Sequence, residues 1–305
     1  MSRIHEALKK AEQERAMAEP MQRVEPAPVI VEDRVIDPQQ PLPRISALSA
    51  AAPAAAMTPE MLLAQSRQTD WSPDPKTMLF FGGEEHIYGK EEFRTLRSRL
   101  YQLREKQPLS KILVTSPLPK EGKSFVAANL GQVLVRQKGK RVLLVDADLR
   151  NPHLHATLGA EAGPGLSEYL RAEVDEFSIL QRGPMENLFL IPAGHSKENP
   201  AELVANGRVR TLFNRLEPLF DWIVMDSPPA VAVSDATLLA NYCDGVLMVV
   251  RSNATPFDVA RRARQEFGDQ VLGVVLNGME TLPEYSQYYY SAYGEPNGNG
   301  KANGG

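Results

Sequence analysis

The sequence predicts an α/β domain built on a doubly wound, mostly parallel sheet, and three observations carry that expectation. Six apolar runs recur between residues 111 and 277, they are continuous rather than alternating, and helical stretches separate them. A strand covered by helices on both faces needs apolar side chains on both, whereas a half-exposed strand alternates with period two. In such an open sheet, ligands bind beyond the carboxyl ends of the strands.

In chain order the runs are KILVTS (111–116), RVLLVDAD (141–148), NLFLIPA (187–193), WIVMDS (222–227), GVLMVV (245–250) and VLGVVLN (271–277). Helical patterns at 123–138, 200–219 and 255–267 fall between them. Together these mark a domain over residues 77–282.

The flanks differ in composition. Residues 1–18 begin with a short amphipathic helix, its stripe formed by Ile4, Ala7, Leu8 and Ala11. It has too little apolar surface to be stable alone. It is either a docking element for a partner groove or a frayed end. Residues 19–76 hold ten of the 24 prolines, among Ala, Val and Gln, and read as a disordered linker. Residues 283–305 carry a tyrosine cluster and then a Gly/Asn tail.

Composition also excludes classes. A net charge of −4 argues against a nucleic-acid binder. The one cysteine, Cys243, can form neither an internal disulfide nor a cysteine zinc site, and it reads as a small buried apolar residue. No run approaches the ~18 apolar residues of a membrane span, and the charged start lacks a secretory apolar region. The expectation is a soluble cytoplasmic protein.

The first run leads into Pro117-Leu118-Pro119-Lys120-Glu121-Gly122-Lys123-Ser124 and a helix beginning near Phe125. This is most of a P-loop: backbone N–H groups at the helix start cradle phosphate, Lys123 reaches the β- and γ-phosphates, and the Ser124 hydroxyl holds Mg²⁺. The first glycine of the strict pattern is Pro117 here. Two later strands end in carboxylates, Asp146 and Asp148 on one and Asp226 on the other. Each alone would read as a helix cap. Behind a P-loop, all three point into one crevice where Mg²⁺ needs oxygen ligands. Asn277 closes the last strand and either reads a base edge or sits in a turn.

The trio SPLPKEGKS, RVLLVDADLRNP and WIVMDSPP resembles the Walker A, A′ and B motifs of the bacterial tyrosine kinases, capsular or exopolysaccharide autokinases built on a P-loop NTPase fold that they share with MinD- and ParA-like ATPases. The likeness spans about residues 86–293. Glu91-x-x-Arg94-x-x-Arg97 resembles the family's oligomerisation helix, YSQYYYSAY its tyrosine cluster, and NPAELV (199–204) a further family segment. Partition ATPases of the MinD and ParA type are the alternative, but their signature lysine falls where this chain has Leu118. A nucleotide-sensing scaffold without kinase activity is another.

The resemblance implies ATP and Mg²⁺ as cofactors, bound by Pro119, Lys120, Glu121, Gly122, Lys123, Ser124 and Phe125, with Asn277 toward the adenine. It implies Asp146 beside the attacking tyrosine hydroxyl, Asp148 in support, and Asp226 holding Mg²⁺ through water. Lys123, Asp146, Asp148 and Asp226 form the implied catalytic set, and Ser124 with the three aspartates the implied metal set. Tyr285, Tyr288, Tyr289, Tyr290 and Tyr293 are the implied phosphoacceptors, modified in trans within a ring joined through Glu91, Arg94 and Arg97. The implied partners are a membrane-bound polysaccharide chain-length regulator, which recruits the kinase to the inner face of the plasma membrane, and protein substrates in sugar-nucleotide metabolism. Lys120 stands where the family usually has glycine. It either costs ~1–2 kcal/mol in a left-handed backbone or adds a charge near the γ-phosphate.

Overall fold

The computed structural model describes residues 58–75, 77–81 and 89–279. The expected N-terminal helix, most of the expected linker and the tyrosine cluster lie outside the described residues.

Among the described residues, eight strands form one sheet in the order β1-β4-β5-β3-β6-β2-β7-β8. They are β1 (Arg67–Gln68), β2 (Lys111–Thr115), β3 (Val142–Asp146), β4 (Gln181–Arg182), β5 (Leu188–Ile191), β6 (Trp222–Asp226), β7 (Gly245–Arg251) and β8 (Val271–Asn277). All pair in parallel except β4 with β5. The central strands are buried along their whole length, which explains their continuous apolar sequences.

The helices are α1 (Pro59–Gln65), α2 (Lys90–Arg104), α3 (Lys123–Val135), α4 (Leu154–Leu158), α5 (Leu166–Leu170), α6 (Pro200–Ala205), α7 (Arg208–Leu216), α8 (Asp235–Ala240) and α9 (Phe257–Phe267). Two buried clusters sit on opposite faces of the sheet. One includes Val126, Leu130 and Leu134 of α3 with Leu144 and Val224. The other includes Leu203 of α6, Leu212 of α7, Leu239 of α8 and Phe267 of α9 with Leu143 and Met225.

Two expectations are corrected, and two short strands are added. The linker does not reach residue 76. Thr58 caps α1 with Pro59 in its first turn, Leu62 is fully buried, and the indole Nε1 of Trp71 donates to Thr69 Oγ1 at 2.9 Å. Proline in this stretch starts a helix rather than marking disorder. The expected helix over 200–219 is two, because Gly207 takes a left-handed backbone (φ 81°) between α6 and α7. The two-residue strands β1 and β4 are too short to show a period.

Candidate nucleotide site at the carboxyl ends of β2, β3 and β6

The strand register builds the site. Asp146 and Asp226 are Cα partners at the last residues of β3 and β6, and Asp226 also pairs with Val114 of β2. The loop after β2 therefore lies over two carboxylates. Gly122, at φ 93°, turns that loop into α3, so Lys123 and Ser124 occupy the first turn, whose N–H groups have no helical acceptor. A Cβ on Gly122 would lie 2.1 Å from Asn277 Nδ2, so both backbone angle and space require glycine.

Lys123 Nζ lies 2.8 Å from Asp148 Oδ2 and 3.8 Å from Asp226 Oδ1. Burial alone would lower the lysine pKa, but Asp226, Asp148 and Asp146 outweigh it and raise it. Asp146 is fully buried. Its Oδ2 accepts from the N–H groups of His153 (3.1 Å) and Leu154 (2.9 Å). Burial, reinforced by the Asp226 charge, pushes Asp146 well above the carboxylate range. Burial also raises Asp226, against the pull of Lys123. Asp148 accepts from the Asn151 N–H at 3.0 Å, closing the turn after β3.

Asp226 is the exception among the three. Both of its oxygens are buried and lack a well-formed hydrogen bond, with the Ser124 hydroxyl and the Ser227 N–H the donors near enough to favour its charge. A fully buried carboxylate with two unsatisfied oxygens is costly unless a cation or ordered water completes it. That fits Mg²⁺, which keeps several waters and takes one or two carboxylates. Asp146 and Asp148 are committed to backbone N–H groups and to Lys123. Among the described residues no three acidic, histidine or cysteine side chains converge as a ready-made metal cage. Of the expected metal set of Ser124, Asp146, Asp148 and Asp226, Asp226 is the carboxylate with open oxygens, and the buried Ser124 lies in the first turn of α3.

The remaining loop residues divide. Lys120 is exposed at φ 64°, so the position does require a left-handed backbone. Pro119 is also exposed. Glu121 points inward instead: its carboxylate accepts from the Leu118 N–H at 3.2 Å and from the Thr255 hydroxyl. Its side chain pins the loop, leaving only its backbone for phosphate. Phe125 packs edge-on against Phe93 with centroids 6.0 Å apart, so its side chain belongs to the core. Asn277 Nδ2 donates to the Glu121 carbonyl at 2.8 Å, tying β8 to the loop.

On α2, Glu91 and Arg94 form an exposed ion pair, while Arg97 Nη1 donates to the Val133 carbonyl at 3.1 Å. The three are on one helix, but Arg97 is engaged within the subunit. One pair went unread in the sequence. Arg150 grips the buried Asp235 through Nε–Oδ2 at 2.6 Å and Nη2–Oδ1 at 3.0 Å, joining the turn after β3 to α8. Arg150 follows the DAD carboxylates and could have been flagged, whereas Asp235 has no signal beyond a helix-start aspartate.

Comparison with known proteins agrees with this geometry. A family model described as an AAA domain matches residues 121–258. The chain is 33% identical over 203 residues to the tyrosine-protein kinase YwqD of Bacillus subtilis (strain 168), spanning 66% of this chain and 85% of that protein. Among solved structures, the chimerical protein CapA2B2 aligns with a TM-score of 0.63 at 26% identity, covering 73% of this chain and all (100%) of that one. The kinase domain of the Escherichia coli tyrosine kinase ETK aligns with a TM-score of 0.60 at 28% identity, covering 64% and 78%. With a lysine-bearing phosphate loop set over paired strand-end aspartates, the chain belongs to the bacterial tyrosine-protein kinase family.

Proposed function

We propose that this chain is an ATP- and Mg²⁺-dependent tyrosine autokinase serving capsular or exopolysaccharide assembly, acting in trans on Tyr285, Tyr288, Tyr289, Tyr290 and Tyr293 of a neighbouring copy. The observation that carries this reading is the pair of unsatisfied Asp226 oxygens beside Lys123, beneath a helix start. Phosphoryl transfer needs little covalent chemistry from the protein; positioning and charge neutralisation carry it. The first-turn N–H groups and Lys123 would hold the phosphates, and Asp226 with the Ser124 hydroxyl would hold Mg²⁺, which neutralises charge developing on the phosphoryl oxygens. Asp146, raised by burial, is suited to accept a hydrogen bond from an incoming tyrosine hydroxyl.

The described tyrosines favour the C-terminal cluster as acceptor. Tyr169 is buried, Tyr101 Oη accepts from Trp222 Nε1 at 3.0 Å, and Tyr242 Oη donates to the Val204 carbonyl at 3.3 Å. No helix of the described residues is long and apolar enough to cross a membrane. We assign recruitment to the inner face of the plasma membrane to a membrane-bound chain-length regulator. The subunit contact in a ring falls to the exposed Glu91–Arg94 pair of α2 with Arg97, and protein substrates lie in sugar-nucleotide metabolism.

Incubating the purified full chain with ATP and Mg²⁺ and blotting for phosphotyrosine tests the reading. Strong signal lost on chelation supports it. Nucleotide binding without phosphotyrosine would leave a nucleotide-sensing scaffold.

A further inference from the structure

The phosphate loop is gripped from outside its own strand and helix. Two of its residues, Lys120 and Glu121, are bonded to the end of β7, the turn after it and the end of β8. The Glu121 side chain is buried, and its carboxylate accepts from the Thr255 hydroxyl as well as from the Leu118 N–H. Arg251 Nη1 donates to the Lys120 carbonyl at 3.4 Å, and Asn277 Nδ2 to the Glu121 carbonyl at 2.8 Å. Burial raises the Glu121 carboxyl, and the Thr255 hydroxyl leads the groups that hold it down, ahead of the N–H groups of Leu118 and Arg251.

The turn that carries Thr255 is itself fixed. Its N–H donates to the Arg251 carbonyl at 3.2 Å, and the Ser252 N–H donates to the Asn277 carbonyl at 2.8 Å. Asn253 takes a left-handed backbone at φ 56°, as Lys120 does at φ 64°. Two of the four non-glycine residues with positive φ among the described residues thus lie on the two segments that this contact joins. Such backbone persists only where the surroundings hold it, and it gathers at functional sites. The Thr255 hydroxyl has no competing duty as a helix cap, because Pro256 is the N-cap of α9 and no side chain caps that helix.

We propose that Thr255 is a positioning residue for phosphate binding, acting on the phosphate loop through the Glu121 carboxylate without touching the nucleotide itself. Glu121 immediately precedes Gly122 and the first turn of α3, so anchoring its side chain fixes the backbone whose N–H groups face the phosphates. Donors already in place need no ordering when the ligand arrives. The inference deepens the nucleotide reading above and rests on it. It adds a residue outside the three Walker-like segments, from a turn that borders Asn277.

The test needs no kinase turnover. Wild type, Thr255→Val and Thr255→Ser are compared as full chains by amide hydrogen exchange without nucleotide and by calorimetric titration with ADP and Mg²⁺. Valine keeps the shape and loses the hydroxyl, whereas serine keeps the hydroxyl. Thr255→Val should exchange faster over residues 118–124 with β3 and β6 unchanged. It should bind ADP about tenfold more weakly, the loss expected for one hydrogen bond to a buried carboxylate. Thr255→Ser should stay within about twofold of wild type, and in a Glu121→Ala background Thr255→Val should change affinity by less than about twofold. Wild-type chain that binds no ADP would overturn the nucleotide reading and this inference with it. Where wild type binds, three results each overturn this inference alone. They are unchanged exchange or affinity in Thr255→Val, an equal loss in Thr255→Ser, and a tenfold loss that persists without Glu121, which would mark direct contact with the nucleotide.

Discussion

Lys123 Nζ sits 2.8 Å from Asp148 but 3.8 Å from Asp226, so the P-loop lysine is paired with the carboxylate already tied to its own turn. The carboxylate with both oxygens unsatisfied is left facing the phosphate loop. This asymmetry separates the role of Lys123 from that of Asp226, and variants can resolve the two.

Lys123→Met removes the charge that offsets three buried aspartates. Phosphorylation should fall to background, and the folded state should lose about 2–4 kcal/mol at pH 8. With the lysine gone, the aspartate pKa values rise further. The deficit is therefore smaller at pH 6, where protonation relieves the repulsion. Urea unfolding of wild type and variant at both pH values measures this.

Asp226→Asn should behave oppositely. It removes a fully buried charge whose oxygens lack well-formed hydrogen bonds, so stability without Mg²⁺ should be unchanged or higher. The thermal shift on adding Mg²⁺ and ATP should shrink to that of ATP alone. Calorimetric melting in the four conditions checks it.

Mg²⁺ binding should strengthen with pH. Asp146 and Asp226 are both raised in the empty fold, mainly by burial, so each stabilises the fold when protonated. That contribution is complete below the ordinary carboxylate pKa and is lost as pH rises through the raised values. Mg²⁺ competes with the retained proton, so its stabilisation should grow as pH rises. Equal Mg²⁺-induced melting shifts at pH 6 and pH 8 would contradict the charge assignment.

Arg150→Ala leaves Asp235 buried without its forked partner. The expected cost is about 1–3 kcal/mol, read from the urea midpoint, with activity reduced through a loosened turn after β3. Lys120→Gly relieves the left-handed backbone at φ 64° and should gain about 0.5–1 kcal/mol. The change in KM for ATP then reports whether the lysine charge assists phosphate binding.

The six long strands and the phosphate loop were legible because buried parallel strands write continuous apolar runs and Gly122 is confined by both angle and space. Carboxylates at the strand ends were legible for the same topological reason. Their division of labour was not: nothing in DADLRNP shows that Asp146 serves three backbone N–H groups while both Asp226 oxygens lack a well-formed partner. Glu121, Phe125 and Asn277 read as ligand contacts, yet their side chains hold the loop to its surroundings, because a loop that grips phosphate must itself be gripped. Arg150–Asp235 joins positions 85 apart in sequence, a separation that pattern alone does not connect. The packed segment over 58–75 was hidden by its prolines, of which Pro59 starts a helix that Thr58 caps.

Trans phosphorylation of the C-terminal cluster is the central claim, and one mixture measures it. Wild-type chain with its five C-terminal tyrosines replaced by phenylalanine is combined with the Lys123→Met chain, ATP and Mg²⁺, and phosphosites are mapped. Phosphate on Tyr285, Tyr288, Tyr289, Tyr290 or Tyr293 of the Lys123→Met chain, at a rate rising with the concentration of its partner, is the predicted result. An unmodified tail in that mixture, or phosphate confined to Tyr88, Tyr101, Tyr169 and Tyr242, would contradict it.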